Sequence, residues 1–221
     1  MKNLFLTTGN LLKIIMIFGF STILMNCTIQ TNTNTNPSSN NHTKKQLKKQ
    51  EELITYTDVI IGNQLNKAGN YVNMTEGKVY TREEALKNQE KIDFVFYNGG
   101  LNFFLSPSEV TTYAFGLKDD KMVDFIHNRK NGFNLWQTIN VSYAARRNIT
   151  AEQFNSINTP AELKALYGDL KIISNHVSFD STNQVIKFLT PEGTRGMLLV
   201  KKMFGSLRTT GYYVVDIKIS K

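Results

Sequence analysis

The alternation of apolar and polar residues becomes strand-like near residue 53 and stays so to the end of the chain. In the last run, apolar residues at 213, 215, 217 and 219 alternate with Val214, Asp216, Lys218 and Ser220. A period of two predicts a strand with one packed face and one mostly polar face. Alternating or β-branched runs also predict strands at residues 53–61, 71–74, 78–80, 92–97, 135–143, 173–179, 185–189 and 197–204.

Short helices are predicted between these strands. Four sequences have Ser or Thr followed three residues later by Glu or Gln, and they begin at Thr81, Ser106, Thr150 and Thr159. In such a capping box the two side chains satisfy free N–H groups at the start of a helix. A further helix is predicted at residues 119–129. Because strands and helices follow one another without regular βαβ spacing, the pattern predicts an α+β domain with a largely antiparallel sheet and several short capped helices.

The first residues have the pattern of a targeting segment. Residues 1–13 carry Lys2 and Lys13 and no acid, and residues 14–25 form an apolar run. A membrane-spanning helix needs about 20 apolar residues, so this run is short for one. A basic start followed by a short apolar segment is typical of a secretory signal peptide, which we predict at residues 1–26. The other interpretation is an uncleaved membrane anchor at residues 11–25.

Cys27 is the only cysteine, and it directly follows this segment. The sequence Leu24-Met25-Asn26-Cys27 resembles the lipobox of bacterial lipoproteins, although a small residue is usual where Asn26 stands. The resemblance implies that Cys27 carries a diacylglycerol with acyl chains such as palmitate, and that the protein is anchored in the cell envelope. Thr28 follows Cys27, and by resemblance to enterobacterial sorting rules the lack of an acid there indicates the outer membrane. Two or more acyl chains give a durable anchor. The other interpretation is a chance cysteine within a signal peptide.

A polar segment separates Cys27 from the apolar runs. Residues 28–42 are rich in Asn and Thr, and Lys44, Lys45, Lys48 and Lys49 follow. Such a composition cannot form a core and is typical of a flexible linker. We therefore predict a lipidated cysteine and stalk at residues 27–52 and one globular domain at residues 53–221. The lysines either attract anionic headgroups or glycans or are simply solvated.

Charge and cysteine content exclude several function classes. The 221 residues include 26 Lys and Arg against 18 Asp and Glu, a formal charge of +8. Residues 1–52 hold six of these bases and two of these acids, so half of the excess lies outside the predicted domain. Export and the modest charge of the domain argue against nucleic acid as a partner. A single cysteine excludes an intramolecular disulfide and a cysteine-cluster metal site.

Three residues of the domain are candidate ligand contacts. Arg195 lies in the predicted turn Gly193-Thr194-Arg195-Gly196, where its guanidinium is free to bind a carboxylate or phosphate. Tyr97 and Asn98 precede Gly99-Gly100 at the end of a predicted strand. The stretch from Phe94 to Phe115 is rich in aromatic residues, which serve either as a stacking surface for sugars or as core.

Catalytic signals are weak. His176 alternates with serines, but no Gly-x-Ser-x-Gly sequence accompanies it. Asp124 and His127 share a predicted helix face, as a metal or acid–base pair or as part of a solvated surface. The arrangement of the carboxylates Asp93, Glu109 and Asp124 is not readable from the sequence. We therefore predict no catalytic residue, no metal and no cofactor.

Most of the domain resembles an uncharacterised domain of Bacteroidota surface lipoproteins. The resemblance lies in residues 62–64, 77–81, 84–85, 91–97, 106–107, 150–154, 188–193, 196–200 and 215–219. It implies an envelope location and no active-site residues. Together with the lipobox, it favours a lipid-anchored protein with a non-enzymatic binding or interaction domain, its partner a glycan or a surface protein. The alternative is an envelope hydrolase that uses carboxylates or His176.

Overall fold

Two antiparallel sheets dominate the computed structural model, which describes residues 50–98, 102–110, 129–146, 148–169, 174–205 and 210–221. The first sheet, sheet A, has the strand order β1 (Leu53–Gly62), β10 (Tyr212–Ser220), β9 (Arg195–Phe204), β8 (Val185–Leu189) and β6 (Tyr143–Arg146). The second, sheet B, has the order β3 (Lys78–Tyr80), β2 (Tyr71–Asn73), β4 (Phe94–Asn98), β5 (Asn102–Leu105) and β7 (His176–Phe179).

Within the described residues, the helices are few and short. They are α1 (Arg82–Lys87), α2 (Ala151–Asn155) and α3 (Pro160–Tyr167), with 3₁₀ turns at Gln89–Lys91 and Phe133–Leu135 and a helical turn at residues 107–110. The prediction of a sheet-rich, antiparallel domain with short helices is confirmed in outline. The helical share is small, and the sheet is divided into two.

The sheets pack face to face and carry helices on their outer faces. The central core contains Phe94, Phe96 and Phe104 from sheet B with Ile217 and Ile219 from sheet A. A second cluster covers the outside of sheet B with residues of α1 and of the 3₁₀ turn at 133–135. A third cluster places α2 and α3 on the outside of sheet A. Thus most of the aromatic stretch that begins at Phe94 is core.

The predicted polar face of β10 is only partly correct. Residues 213, 215, 217 and 219 are buried, as expected, but Lys218 on the opposite face is only 7% exposed. Its ammonium group donates hydrogen bonds to backbone carbonyls at residues 154 and 157, which lie in and just beyond α2. The helix layer therefore covers a face that alternation alone predicts to be solvated.

A helix or helical turn begins at all four positions predicted from the local helix signals. Thr81, Thr150 and Thr159 each form a complete capping box. Ser106 differs, because its hydroxyl accepts from the Ser142 N–H at 2.9 Å and donates to the Asn140 carbonyl at 3.1 Å. The helical turn at 107–110 does begin after Ser106, and the Val110 N–H donates to the Ser106 carbonyl, but the Ser106 hydroxyl ties two loops together.

The predicted strand at 135–143 is wrong. Its start forms a 3₁₀ turn, and only Tyr143 belongs to a strand, β6. The apolar side chain of Trp136 does not belong to a strand but packs on the outer face of sheet B, where its ring lies 5.7 Å from the ring of Tyr71. The short strand β5 has no counterpart in the prediction.

Several predictions lie outside the described residues: the signal peptide, Cys27, all but the end of the stalk, and nearly all of the helix predicted at 119–129. Residues 48–221 form one compact unit. Within the described part of the chain, no helix is long and apolar enough to cross a membrane.

Candidate functional site

A cleft lies at the end of sheet A where β9 begins and β10 ends. Its volume is about 310 Å³, within the range of small-ligand sites. The lining residues come from α3, the turn before β9, the end of β10 and the segment before β1: Glu51, Leu163, Lys164, Tyr167, Gly193, Arg195 and Ser220. One of the three residues singled out from the sequence, Arg195, is thus part of a concave site.

Arg195 is presented to solvent on an aromatic support. It is the first residue of β9 and pairs with Leu189 on one side and Ser220 on the other. Its guanidinium carbon lies 5.6 Å from the centroid of the Tyr167 ring, a cation–π distance. Within the described residues, this guanidinium makes no hydrogen bond and no ion pair. Its N–H donors are therefore available to a ligand.

Tyr167 is a rigid support for this arginine. The side chain is buried at the last residue of α3, and its hydroxyl donates to the Phe188 carbonyl at 2.9 Å. Burial raises the pKa of Tyr167 to about 12, although the nearby Arg195 opposes that rise. The phenol therefore stays protonated at neutral pH and keeps this bond.

The cleft is electropositive. Lys164 and Arg195 contribute two cations, and Glu51 is the one acid among the lining residues named above. No ion pair joins Glu51 to either cation in the described part of the structure. A guanidinium that is stacked and unpaired matches the geometry with which arginine binds carboxylates and phosphates through two parallel hydrogen bonds.

Tyr97 and Asn98 lie in the interior, away from this cleft. Tyr97 is 1% exposed and belongs to the cluster outside sheet B. The backbone of Asn98 exchanges hydrogen bonds of 2.8 and 3.1 Å with the Gln64 side chain. The Asn98 amide donates to Asn102, which also accepts from the Tyr213 hydroxyl at 2.6 Å. This network links the two sheets, and a ligand role for Tyr97 and Asn98 stays a prediction.

His176 has polar neighbours but not the arrangement of a catalytic triad. Its Nδ1 atom lies 3.6 Å from the Glu109 carboxylate and 3.4 Å from the Ser174 hydroxyl. A triad needs the acid on one ring nitrogen and the nucleophile on the other. Because Glu109 and Ser174 share one nitrogen, these three residues do not form a triad.

Asp93 is the most perturbed carboxylate in the described residues. It is 2% exposed, and it accepts a hydrogen bond of 2.7 Å from the Met74 N–H. The pKa of Asp93 is raised to about 7: burial is the main cause, the charges of Glu192 and Glu76 contribute to the rise, and the Met74 N–H opposes it. It lines a hollow of about 200 Å³ that also contains Glu90, Lys91 and Lys221.

Metal-binding signals are absent from the described ranges, which contain no group of three or more His, Cys, Asp or Glu side chains able to hold a metal ion. Asp124 and His127 lie outside those ranges. Two residues of the Arg195 cleft, Tyr167 and Lys164, were not singled out from the sequence. Their place at the end of a helix pattern is typical of ordinary packing and gives no separate signal.

Comparison with known proteins gives one match. No family model matches the chain, and no curated protein matches it. Among solved structures, the chain is similar to a DUF4466 family protein from Parabacteroides merdae, whose crystal structure was determined at 2.00 Å resolution. The two are 16% identical, with a TM-score of 0.44 over 76% of this chain and 53% of the other. The chain thus spans about half the length of that protein.

Proposed function

We propose that this chain is a lipid-anchored envelope protein whose domain binds, without catalysis, a carboxylate- or phosphate-bearing ligand in the Arg195 cleft. An acidic glycan is the ligand class that we favour. The observation that carries the proposal is the exposed Arg195 guanidinium, stacked 5.6 Å from the Tyr167 ring centroid and without an ion pair in the described residues.

The chemistry of the cleft supports an oxyanion rather than a neutral ligand. A guanidinium is weakly hydrated and presents its donors in a fixed plane, so it loses little freedom when it binds a planar or tetrahedral oxyanion. Lys164 adds a second positive charge on the neighbouring wall. Leu163 and Tyr167 also line the cleft, but both side chains are almost fully buried, so the charged groups and not an apolar face carry the recognition.

The anchor is proposed from the sequence. Cys27 follows a short apolar run and precedes a polar stalk, which is the arrangement expected of a domain held away from an outer membrane. Mass spectrometry of the mature N-terminus tests this part of the proposal. A diacylated Cys27 as first residue supports it, and an unmodified Cys27 or retention of Met1 contradicts it.

Binding is tested with the full chain on a glycan array that pairs each carboxylated or phosphorylated glycan with its neutral counterpart. Arg195→Ala should lose at least tenfold in affinity, which is the usual range for a charge-assisted hydrogen bond pair. Arg146→Ala removes another exposed arginine, at the end of β6, and should change affinity less than about twofold. Equal binding of neutral glycans, or equal loss in both variants, would contradict the proposal.

One observation favours a second function, an envelope hydrolase. Asp93 has its pKa raised to about 7 and lines a hollow with Glu90 and Glu192. A carboxyl group that is half protonated near neutral pH has the property required of a general acid. Cleavage of any envelope glycan by the wild-type chain, lost in Asp93→Asn, would support this function over binding alone.

A further inference from the structure

Two lysines on the outer face of sheet A point beneath the helix layer. Lys187 in β8 is 6% exposed, and Lys218 in β10 is 7% exposed. Burial of an ammonium group is costly unless its donors are satisfied. Each of these groups satisfies its donors with backbone carbonyls near the C-terminal end of a helix. A cation is favourable there, because those carbonyls carry the negative end of the helix dipole.

The two lysines have equivalent tasks on different helices. The Lys218 ammonium donates to the carbonyls of Phe154 and Ile157, at 3.0 and 2.6 Å, and so holds α2. The Lys187 ammonium donates to the carbonyl of Leu166 at 2.6 Å and to that of Tyr167, and so holds the end of α3. Of these two helices, α3 alone contributes residues to the Arg195 cleft, so Lys187 is the lysine that holds a helix lining it.

Lys187 and Arg195 meet the same aromatic ring. The Lys187 Nζ atom and the Arg195 guanidinium carbon each lie 5.6 Å from the centroid of the Tyr167 ring. Tyr167 is thus held at three points: its hydroxyl donates to the Phe188 carbonyl, its backbone carbonyl accepts from Lys187, and its ring contacts the two cations. Lys187 is buried, while Arg195 is exposed and lines the cleft.

We infer that Lys187 is a positioning residue for anion binding: it fixes the end of α3 and the Tyr167 ring, so that Arg195 is presented in one orientation before the ligand arrives. This inference rests on the proposed function of the cleft. The physical reason is that a side chain ordered in advance does not have to be ordered by the ligand, and binding is tighter by that saved entropy. Lys187 acts through Tyr167 and does not touch the ligand.

The test compares Lys187→Met with Lys218→Met in the full chain. Methionine keeps most of the length of the side chain and removes its charge and donors. D-Glucuronate and inorganic phosphate serve as probes, titrated by chemical shift well below the unfolding temperature of every variant. Lys187→Met should weaken binding of at least one probe roughly threefold to tenfold, the range for ordering one side chain. Lys218→Met should lower the free energy of unfolding about as much as Lys187→Met does, but it should change the affinity less than twofold. Lys187→Arg should restore binding.

A second measurement does not depend on any ligand. The ¹⁵N heteronuclear relaxation of the Arg195 Nε–H group reports how rigid the guanidinium is on the fast timescale. It should be rigid in the wild type and in Lys218→Met, and mobile in Lys187→Met. If Lys187→Met does not fold, Tyr167→Leu replaces it and should also free Arg195.

The outcomes separate the two proposals. If the wild type binds neither probe while Lys187→Met still frees Arg195, the proposed function fails, and the result supports only the ordering of Arg195 by Lys187. If Arg195 remains rigid and affinity is unchanged in Lys187→Met, the positioning role is overturned and the binding function stands. Equal affinity losses in Lys187→Met and Lys218→Met would also overturn it, because a general loss of stability would then explain both.

Discussion

Protonation of Asp93 should couple the stability of the fold to pH. Asp93 is almost fully buried, and its pKa is raised from 3.8 to about 7 in the folded protein. The folded state therefore holds a proton on Asp93 in a pH range where the unfolded state has lost it. Stability falls as pH rises through this window, from about pH 4 to pH 7, and is lowest above it.

The size of the effect follows from the two pKa values. At a pH where Asp93 is ionised in both the folded and the unfolded protein, the rise in its pKa from 3.8 to about 7 lowers the free energy of unfolding by about 4 kcal/mol. Part of this cost is already present at pH 5, so the change between pH 5 and pH 8 is about 3 kcal/mol. For a domain of this size, that is a sizeable share of the total stability.

Asp93→Asn removes the titration and keeps an oxygen that can accept from the Met74 N–H. The free energy of unfolding should be measured by urea titration at several pH values in the wild type and the variant. The free energy of unfolding of the variant minus that of the wild type should be about 3 kcal/mol larger at pH 8 than at pH 5. Because every other titrating group is common to both proteins, the difference between them isolates Asp93. A stability difference that is the same at both pH values would refute the reasoning.

Glu192→Gln provides an internal check on the cause. Glu192 raises the pKa of Asp93 through its charge, and it is a smaller contribution than burial. Removing that charge should lower the pKa of Asp93 without abolishing the titration. The pH range over which stability falls should then lie at lower pH than in the wild type. An unchanged range would show that Glu192 does not act on Asp93.

Three further outcomes are expected. Gly69 has a φ of +82°, and the Cβ of Gly69→Ala would lie 2.2 Å from a backbone carbonyl oxygen, so this variant should lose more than about 2 kcal/mol of stability. Gly193 has a φ of +85° but open space around it, so Gly193→Ala should lose about 1 kcal/mol. Urea unfolding measures both losses. Glu51→Gln should tighten anion binding about twofold to fivefold in the same titrations, because it removes an acid that lines the cleft, and weaker binding would contradict this. Tyr213→Phe should cost about 1 kcal/mol, because the buried Asn102 oxygen loses one of its two donors, and a neutral result would mean that the Asn98 amide alone satisfies it.

Elements set by local signals were the most predictable. The strands at 185–189 and 197–204 follow from mostly apolar runs, and three capping boxes follow from residues only three positions apart. Trp136 shows the opposite case, because its burial depends on packing against a distant sheet and not on the structure of its own segment. Apolar content alone does not distinguish a strand from a loop that covers a sheet.

The candidate site was only partly predictable for the same reason. Arg195 was found because Gly193 indicates a turn, which is a local signal, but the predicted turn at 193–196 is displaced: the observed turn ends before Arg195, and Arg195 and Gly196 begin β9. Tyr167 and Lys187 come from other elements and meet Arg195 only through sheet register and helix packing. Alternation assigns Lys187 and Lys218 to a solvated face, and nothing in the nearby sequence shows that α2 and α3 cover that face.

The pairing of residues 52 and 221 has a mechanical consequence. The backbone of Glu52 exchanges two hydrogen bonds with Lys221, of 2.8 and 2.9 Å, so tension on the chain before residue 50 enters the domain where β10 ends. A ligand held by Arg195 is attached at this same end, because Arg195 pairs with Ser220. A force that pulls on the bound ligand would therefore be transmitted to the chain before residue 50 through the end of β10. The far end of β1, about 33 Å away, would stay outside the path of the force.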